Sequence, residues 1–245
     1  VPDVDPLTPC QGQSVAFDAN VTLQAPSVVL ASGWDVDGNL VPDYVGSTAN
    51  HTYNTAGSYN AIFAVVATGN CTTTVTVPIT VNPKPVMSYT GPDDKCGVDV
   101  FLTSNGQVAA PASMDSYEWY LTGGTGIGTG QNFAHIFAAN PFQQVTGYVV
   151  GTSSDGCADT ASFSINLQPT PAANFQIDDC IGLSIPFNNT TTWVGTPPPG
   201  AGINYNWAFG DGQTGNTQEP THVYPEPGEY TVTVIAIYSA FGFSD

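Results

Sequence analysis

The chain has 245 residues, with 20 acidic side chains against two lysines and no arginine, for a formal charge of -18 at pH 7. That balance repels phosphate backbones and anionic lipid surfaces and excludes nucleic acid as a partner. Only 9% of residues are charged, against about 25% in an average soluble domain. Solubility therefore rests on Thr, Ser, Asn, Gln and Gly, and the pattern reads as an extracellular, polymer-like surface; 20 carboxylates in 245 residues are too thin a coat for a halophile.

In chain order the predicted elements are all strands. The longest aliphatic stretch, Ala61 to Ala67, is far below the 18 residues that a membrane span requires. Thr72 to Val81 then alternates apolar and polar side chains at period two, as do Ser162 to Leu167 and Tyr230-Thr231-Val232-Thr233-Val234-Ile235 further on. Helical periodicity is absent. Turn punctuation is dense, as in Gly123-Gly124, Pro197-Pro198-Pro199 and Gly210-Asp211-Gly212, which suits sandwiches of short strands. Asn82-Pro83-Lys84-Pro85 and Gln168-Pro169-Thr170-Pro171 read as extended, poorly bendable linkers.

These linkers divide a threefold repeat. Cys10, Cys96 and Cys180 are separated by 86 and 84 residues, Trp34, Trp119 and Trp207 by 85 and 88, and His51, His135 and His222 by 84 and 87. A fixed period of this size means one module used repeatedly. The expected units are 1–82, 83–168 and 169–245, each small enough to need reinforcement.

Cysteines supply it. Cys10 to Cys71 and Cys96 to Cys157 both span 61 residues, which predicts one structural bridge inside each of the first two modules, worth about 4 kcal/mol in the chain-entropy model. The clustered pairs that zinc requires are missing. In the third unit the equivalent second cysteine projects to positions 244 to 245, where Ser244 and Asp245 stand. The unit is therefore expected to be incomplete at its C-terminal end, with the partner of Cys180 and a final strand lying beyond Asp245. The chain lacks an initiator Met and a signal peptide, so it reads as a mature or internal fragment.

Trp207-Ala208-Phe209-Gly210-Asp211-Gly212, Pro220-Thr221-His222-Val223-Tyr224 and Glu226-Pro227-Gly228-Glu229-Tyr230-Thr231-Val232-Thr233-Val234 together resemble the signature of the polycystic kidney disease (PKD) domain. Unit one repeats it as Gly33-Trp34-Asp35-Val36-Asp37-Gly38, His51-Thr52-Tyr53 and Ala56-Gly57-Ser58-Tyr59. Unit two keeps Glu118-Trp119-Tyr120 and His135-Ile136-Phe137 but loses the Gly-Asp-Gly and Gly-x-Tyr turns. The resemblance implies all-β architecture: three immunoglobulin-like sandwiches in an extended array, each with its Trp between the sheets. Because the three histidines share one slot of the repeat, they are assigned to packing.

Catalysis finds little support, since no Gly-x-Ser-x-Gly elbow occurs and the paired acids Asp93-Asp94 and Asp178-Asp179 recur in equivalent places before Cys96 and Cys180. No catalytic residue is assigned and no cofactor is required. Calcium is the best site hypothesis. Asp35, Asp37, Asn39 and Asp43 fall at positions 1, 3, 5 and 9 of an oxygen-rich loop similar to calcium loops in some PKD and thrombospondin-type repeats. Leu40 replaces the glycine of position 6 and Gly46 the bidentate acid of position 12; a solvated turn capped by its own Asp side chains is the alternative. Sequons at Asn20 and Asn50, and Asp159-Thr160-Ala161, which resembles a Bacteroidota O-glycosylation pattern placing sugar on Thr160, are the glycosylation candidates.

The resemblance implies a non-catalytic spacer or adhesive segment of a long secreted cell-surface protein, as in PKD-array adhesins and filament proteins that Bacteroidota export for gliding or attachment. Its partners would be other domains of the same chain and a polysaccharide or surface-protein ligand, with no membrane span. The alternative is an accessory stalk of a secreted polysaccharide- or protein-degrading enzyme, and archaeal surface-layer protein is a third.

Overall fold

The computed structural model describes residues 2–137, 143–177, 182–194, 196–197 and 200–238. Among them every regular element is a strand. The first module holds β1 (Pro2–Asp5), β2 (Ser14–Ala19), β3 (Val29–Asp35), β4 (Tyr44–Val45), β5 (Thr48–Thr52), β6 (Gly57–Ala67) and β7 (Cys71–Val81). They form two sheets, ordered β1-β2-β5 and β4-β3-β6-β7. The second holds β8 (Tyr89–Thr90), β9 (Asp94–Cys96), β10 (Asp99–Ser104), β11 (Met114–Leu121), β12 (Gly126–Thr129), β13 (Asn132–Ile136), β14 (Gln143–Ser153) and β15 (Ala158–Gln168). Its sheets run β13-β10-β8 and β12-β11-β14-β15-β9.

The third module holds β16 (Thr170–Ala172), β17 (Phe175–Ile177), β18 (Ser184–Asn189), β19 (Thr192–Val194), β20 (Ile203–Ala208), β21 (Thr214–Gly215), β22 (Thr221–Val223) and β23 (Thr233–Tyr238). They pair as β16-β19, β17-β18-β22 and β21-β20-β23. Period-two patterning builds each core: Val15, Phe17 and Ala19 of β2 face Ala61, Phe63 and Val65 of β6, all buried. Each module has its own apolar cluster.

The repeated tryptophans sit at the centres of these clusters, essentially without solvent exposure. Trp34 packs against Phe17 of the opposite sheet at 5.0 Å and Phe63 of its own at 4.9 Å. Trp119 lies between Phe133 at 5.3 Å and Phe163 at 5.9 Å, and Trp207 between Phe175 at 5.2 Å and Phe187 at 5.6 Å. A buried indole N–H needs an acceptor. Each donates to a main-chain carbonyl on the segment crossing between sheets: Ser47 at 3.0 Å, Gly130 at 2.9 Å and Thr217 at 3.0 Å.

Ile79 and Val81 complete the core of the first module, and Ile165 and Leu167 that of the second. They come from β7 and β15, the strands that follow the hairpins after β6 and β14. Among the described residues of the third module no strand follows β23, and an open cleft of about 340 Å³ lies beside Ile185, Phe187, Tyr230 and Val232.

The disulfide connectivity corrects the expectation from spacing. Cys10 is bonded to Cys157, across the boundary between the first two modules, with their Cα atoms 5.6 Å apart. Cys71 and Cys96 are exposed free thiols, so neither Cys10–Cys71 nor Cys96–Cys157 forms. The reason is strand length. Cys10 makes an isolated parallel bridge to Asn82, just past the end of β7, whereas Cys71 opens that strand. Eleven residues of strand at about 3.3 Å each separate the two ends by more than 30 Å, and a disulfide tolerates about 7 Å between Cα atoms. The second module repeats this: Cys96 pairs with Gln168 at the end of β15, and Cys157 immediately precedes its start. Cys180 lies outside the described residues, as does its expected pairing.

Candidate functional site

Three features repeat or stand out above the scaffold: the turn after the core tryptophan, the His-x-Tyr strand that closes over it, and the joint between the first two modules. In the first module the turn is the proposed calcium loop. Asp35, at the buried end of β3, accepts the backbone N–H groups of Gly38 at 2.7 Å and Asn39 at 3.2 Å on Oδ1, and that of Leu40 at 2.7 Å on Oδ2. Asp37 accepts the Asn39 N–H at 3.0 Å and its side-chain amide at 2.9 Å, and Asp43 accepts the Val36 N–H at 2.8 Å. Leu40 is drawn into the left-handed region at φ 69°, where a glycine would fit without strain.

The loop thus folds around its own carboxylates. One oxygen from each of Asp35, Asp37 and Asp43 also lies within 4.8 Å of the others, a concentration of charge of the kind a hard cation relieves. Asn39 departs from the sequence expectation in one respect: its Oδ1 accepts the Val41 N–H at 2.7 Å, so it braces the turn.

The corresponding turn of the third module uses a different partner. Asp211 accepts the Gln213 N–H at 2.9 Å and lies 2.7 Å from His222 Nε2. Burial pushes the Asp211 carboxyl up, but the Gln213 N–H and His222 outweigh it and hold the group below its ordinary value. His222 also lies flat on Phe209, with centroids 4.1 Å apart. His51 shares a 3.1 Å hydrogen bond with the Tyr44 hydroxyl, and His135 packs against Phe133 and Phe137. All three histidines are therefore held in aromatic clusters, the packing role that their shared slot predicted.

Two residues past each histidine stands a ring that closes the core. The buried Tyr53 hydroxyl donates to the Val36 carbonyl at 2.9 Å, and Tyr224 donates to the Phe209 carbonyl at 3.0 Å. In both cases the acceptor follows the core tryptophan by two residues. Burial, with neighbouring tyrosines and carboxylates, raises both phenols above the ordinary tyrosine value. In the second module Phe137 takes this place and has no hydroxyl to donate. That substitution accompanies the loss of the Asp- and Gly-bearing turn that follows the acceptor in the other two modules.

At the joint, the Cys10–Cys157 bond is accompanied by an ion pair from Lys84 of the linker to Asp159 of β15 at 2.8 Å. Burial pushes Asp159 up, but the Lys84 hydrogen bond, the Thr160 N–H and the Lys84 charge together hold it below its ordinary value. Sequence reasoning missed this joint. The usable signal was the loop before each second cysteine, Thr68-Gly69-Asn70 and Ser154-Asp155-Gly156, which marks a hairpin tip. Of the glycosylation candidates, Asn20, Asn50 and Thr160 are all exposed.

Solved structures of similar fold include fibronectin(III)-like modules of Clostridium thermocellum CbhA, at 16% identity and TM-score 0.38, covering 69% of this chain and 94% of that one. Three N-terminal domains of the bacteriophage RB49 Highly Immunogenic Outer Capsid protein match at 20% identity and TM-score 0.38, covering 91% and 79%. The FN1-FN3 domains of chicken CNTN1 match at 10% identity and TM-score 0.31, covering 97% of each. No curated protein matches the chain. The family model of the PKD domain matches residues 166–240, the segment that holds Trp207, the Asp211 turn and the His222-x-Tyr224 strand.

Proposed function

We propose that the chain is a non-catalytic spacer and adhesive segment of a long, secreted, multi-domain cell-surface protein or filament, with module boundaries at 82/83 and 168/169. The observation that carries this reading is the Cys10–Cys157 bond between successive modules. Such a bond sets the spacing of two sandwiches covalently, and it persists in oxidising compartments outside the cytosol. The proline-bearing linker and the sparsely charged surface agree with it. The partners in this reading are neighbouring modules of the same chain and a polysaccharide or surface-protein ligand. Calcium at Asp35, Asp37, Asn39 and Asp43 is a subsidiary proposal supported by the approach of the three carboxylates, and glycosylation at Asn20, Asn50 and Thr160 is another, supported by their exposure.

Labelling intact cells of the source organism with an antibody to this chain tests the location, and deleting the segment from its gene tests the role. Surface labelling, with attachment impaired by the deletion, is expected. Labelling only after lysis, or unimpaired attachment, overturns the reading.

A further inference from the structure

The two free thiols stand at positions that are already bonded elsewhere in the same chain. Cys71 closes the β6–β7 hairpin opposite Ala67, across the three-residue loop 68–70. Cys157 closes the β14–β15 hairpin in the same way, with the Ser153 N–H donating to its carbonyl across loop 154–156. Both loops end on a left-handed residue, Asn70 at φ 57° and Gly156 at φ 79°.

Cys96 is the counterpart of Cys10. It pairs in parallel with Gln168 while the Gly97 N–H donates to the Gln168 carbonyl at 2.9 Å. Cys10 pairs in parallel with Asn82 while the Gln11 N–H donates to the Asn82 carbonyl at 2.9 Å. Asn82 and Gln168 each lead into a linker with prolines one and three residues on, Pro83 and Pro85 in one case and Pro169 and Pro171 in the other. Each of the first two modules therefore carries one cysteine at the end where its last strand leaves and one on the hairpin at the opposite end. The Cys10–Cys157 bond joins the exit cysteine of one module to the hairpin cysteine of the next.

We propose that Cys71 and Cys96 are the two unjoined halves of the same inter-module bond, so that the array is a head-to-tail disulfide ladder with no intra-module rungs. The partner of Cys96 is a hairpin cysteine on a module that follows in the same chain, and the partner of Cys71 is an exit cysteine on a module that precedes. The bond forms by thiol–disulfide exchange. One cysteine thiolate attacks oxidised glutathione, or a protein disulfide, and releases one thiol. The second cysteine displaces the other, so that two cysteine thiols become one disulfide and the oxidant is reduced to two thiols.

The test inserts a second copy of residues 83–168 into the full chain directly after Gln168. Gln168 is then followed by the Pro83-Lys84-Pro85 linker that follows Asn82 in the natural chain. Cys96→Ser and Asp155→Glu in the inserted copy make the Cys96 and Cys157 peptides of the two copies distinguishable by mass. After equilibration in a glutathione redox buffer, alkylation and non-reducing peptide mapping should find the first-copy Cys96 joined to the inserted Cys157. The product should be monomeric, and the Cys71 thiol should remain alkylatable. A first-copy Cys96 that still alkylates fully, or that is joined only between separate chains, overturns the ladder. A second measurement does not depend on the insertion folding. In the protein isolated from its own cells, Cys71 and Cys96 should both resist alkylation before reduction and map to cysteines of other modules. Free thiols there, or a Cys10–Cys71 pair, overturn it equally.

Discussion

His222 Nε2 lies 2.7 Å from Asp211 Oδ2, and the imidazole is stacked on Phe209 between that carboxylate and the core. The carboxyl of Asp211 titrates below its ordinary value because the Gln213 N–H and His222 outweigh its burial. A depressed folded-state value means that the unfolded chain takes up the proton first as pH falls. The stabilisation is therefore fully present above the ordinary carboxylate value of about 4 and is lost as pH falls through the lower folded-state value. Asp211→Asn should lower the melting temperature of the third module at pH 7, and the gap to the unaltered chain should close toward pH 3. Thermal melts followed by circular dichroism across that range check this; a gap independent of pH would contradict it.

The Tyr224 hydroxyl should have a measurable role that the second module forgoes. Tyr224→Phe removes one donor to a buried carbonyl and should cost the third module about 1 kcal/mol, as should Tyr53→Phe in the first. Urea titration of the two variants, with tryptophan fluorescence as the probe, measures both losses. No change in either midpoint would mean that the carbonyls of Val36 and Phe209 find other partners.

Calcium, if the proposal for the first module holds, should act through Asp37, whose exposed carboxylate braces the turn only through Asn39. Titration calorimetry of the full chain with calcium chloride should show a heat of binding that Asp37→Ala abolishes. Identical traces for the two proteins would remove the site.

Reducing the Cys10–Cys157 bond should leave the modules folded, since each cluster contains its own Trp and aromatic partners. Small-angle scattering should then show a wider spread of orientations between the first two modules, and Cys157→Ser should reproduce it without reductant. A scattering curve unchanged by reduction would mean that the Lys84–Asp159 pair and the linker alone fix the joint.

The repeat, the strands over 72–81 and 162–167 and the central tryptophans were legible because each is a local pattern: Trp34, Trp119 and Trp207 each pair with the strand that follows the His-x-Tyr/Phe segment. The histidine slots were legible for the same reason. Tyr230 to Val232, expected in a strand with Thr233 to Ile235, instead precede β23, which begins at Thr233. Disulfide pairing was not legible. In a tandem array, the distance from Cys10 to Cys71 must equal that from Cys96 to Cys157 whether the bonds run within modules or between them. Equal spacing therefore carries no information about connectivity. The length of β7, which sets Cys71 more than 30 Å from Asn82, decides the matter. The role of Asn39 escaped for a related reason: a row of oxygen-bearing side chains has the same spacing in a cation loop and in a turn that binds its own backbone N–H groups, and its Oδ1 bonds the Val41 N–H.

The ion pair at the joint has one more consequence. Lys84 and Lys95 are the only basic side chains in 245 residues, so a trypsin-like protease has just two bonds at which to begin. One is Lys84–Pro85, where proline occupies the position after the scissile bond and Asp159 occupies the ammonium that the enzyme must grip. The other is Lys95–Cys96, inside β9 and paired to β15. A chain built this way is nearly invisible to an entire class of digestive enzyme.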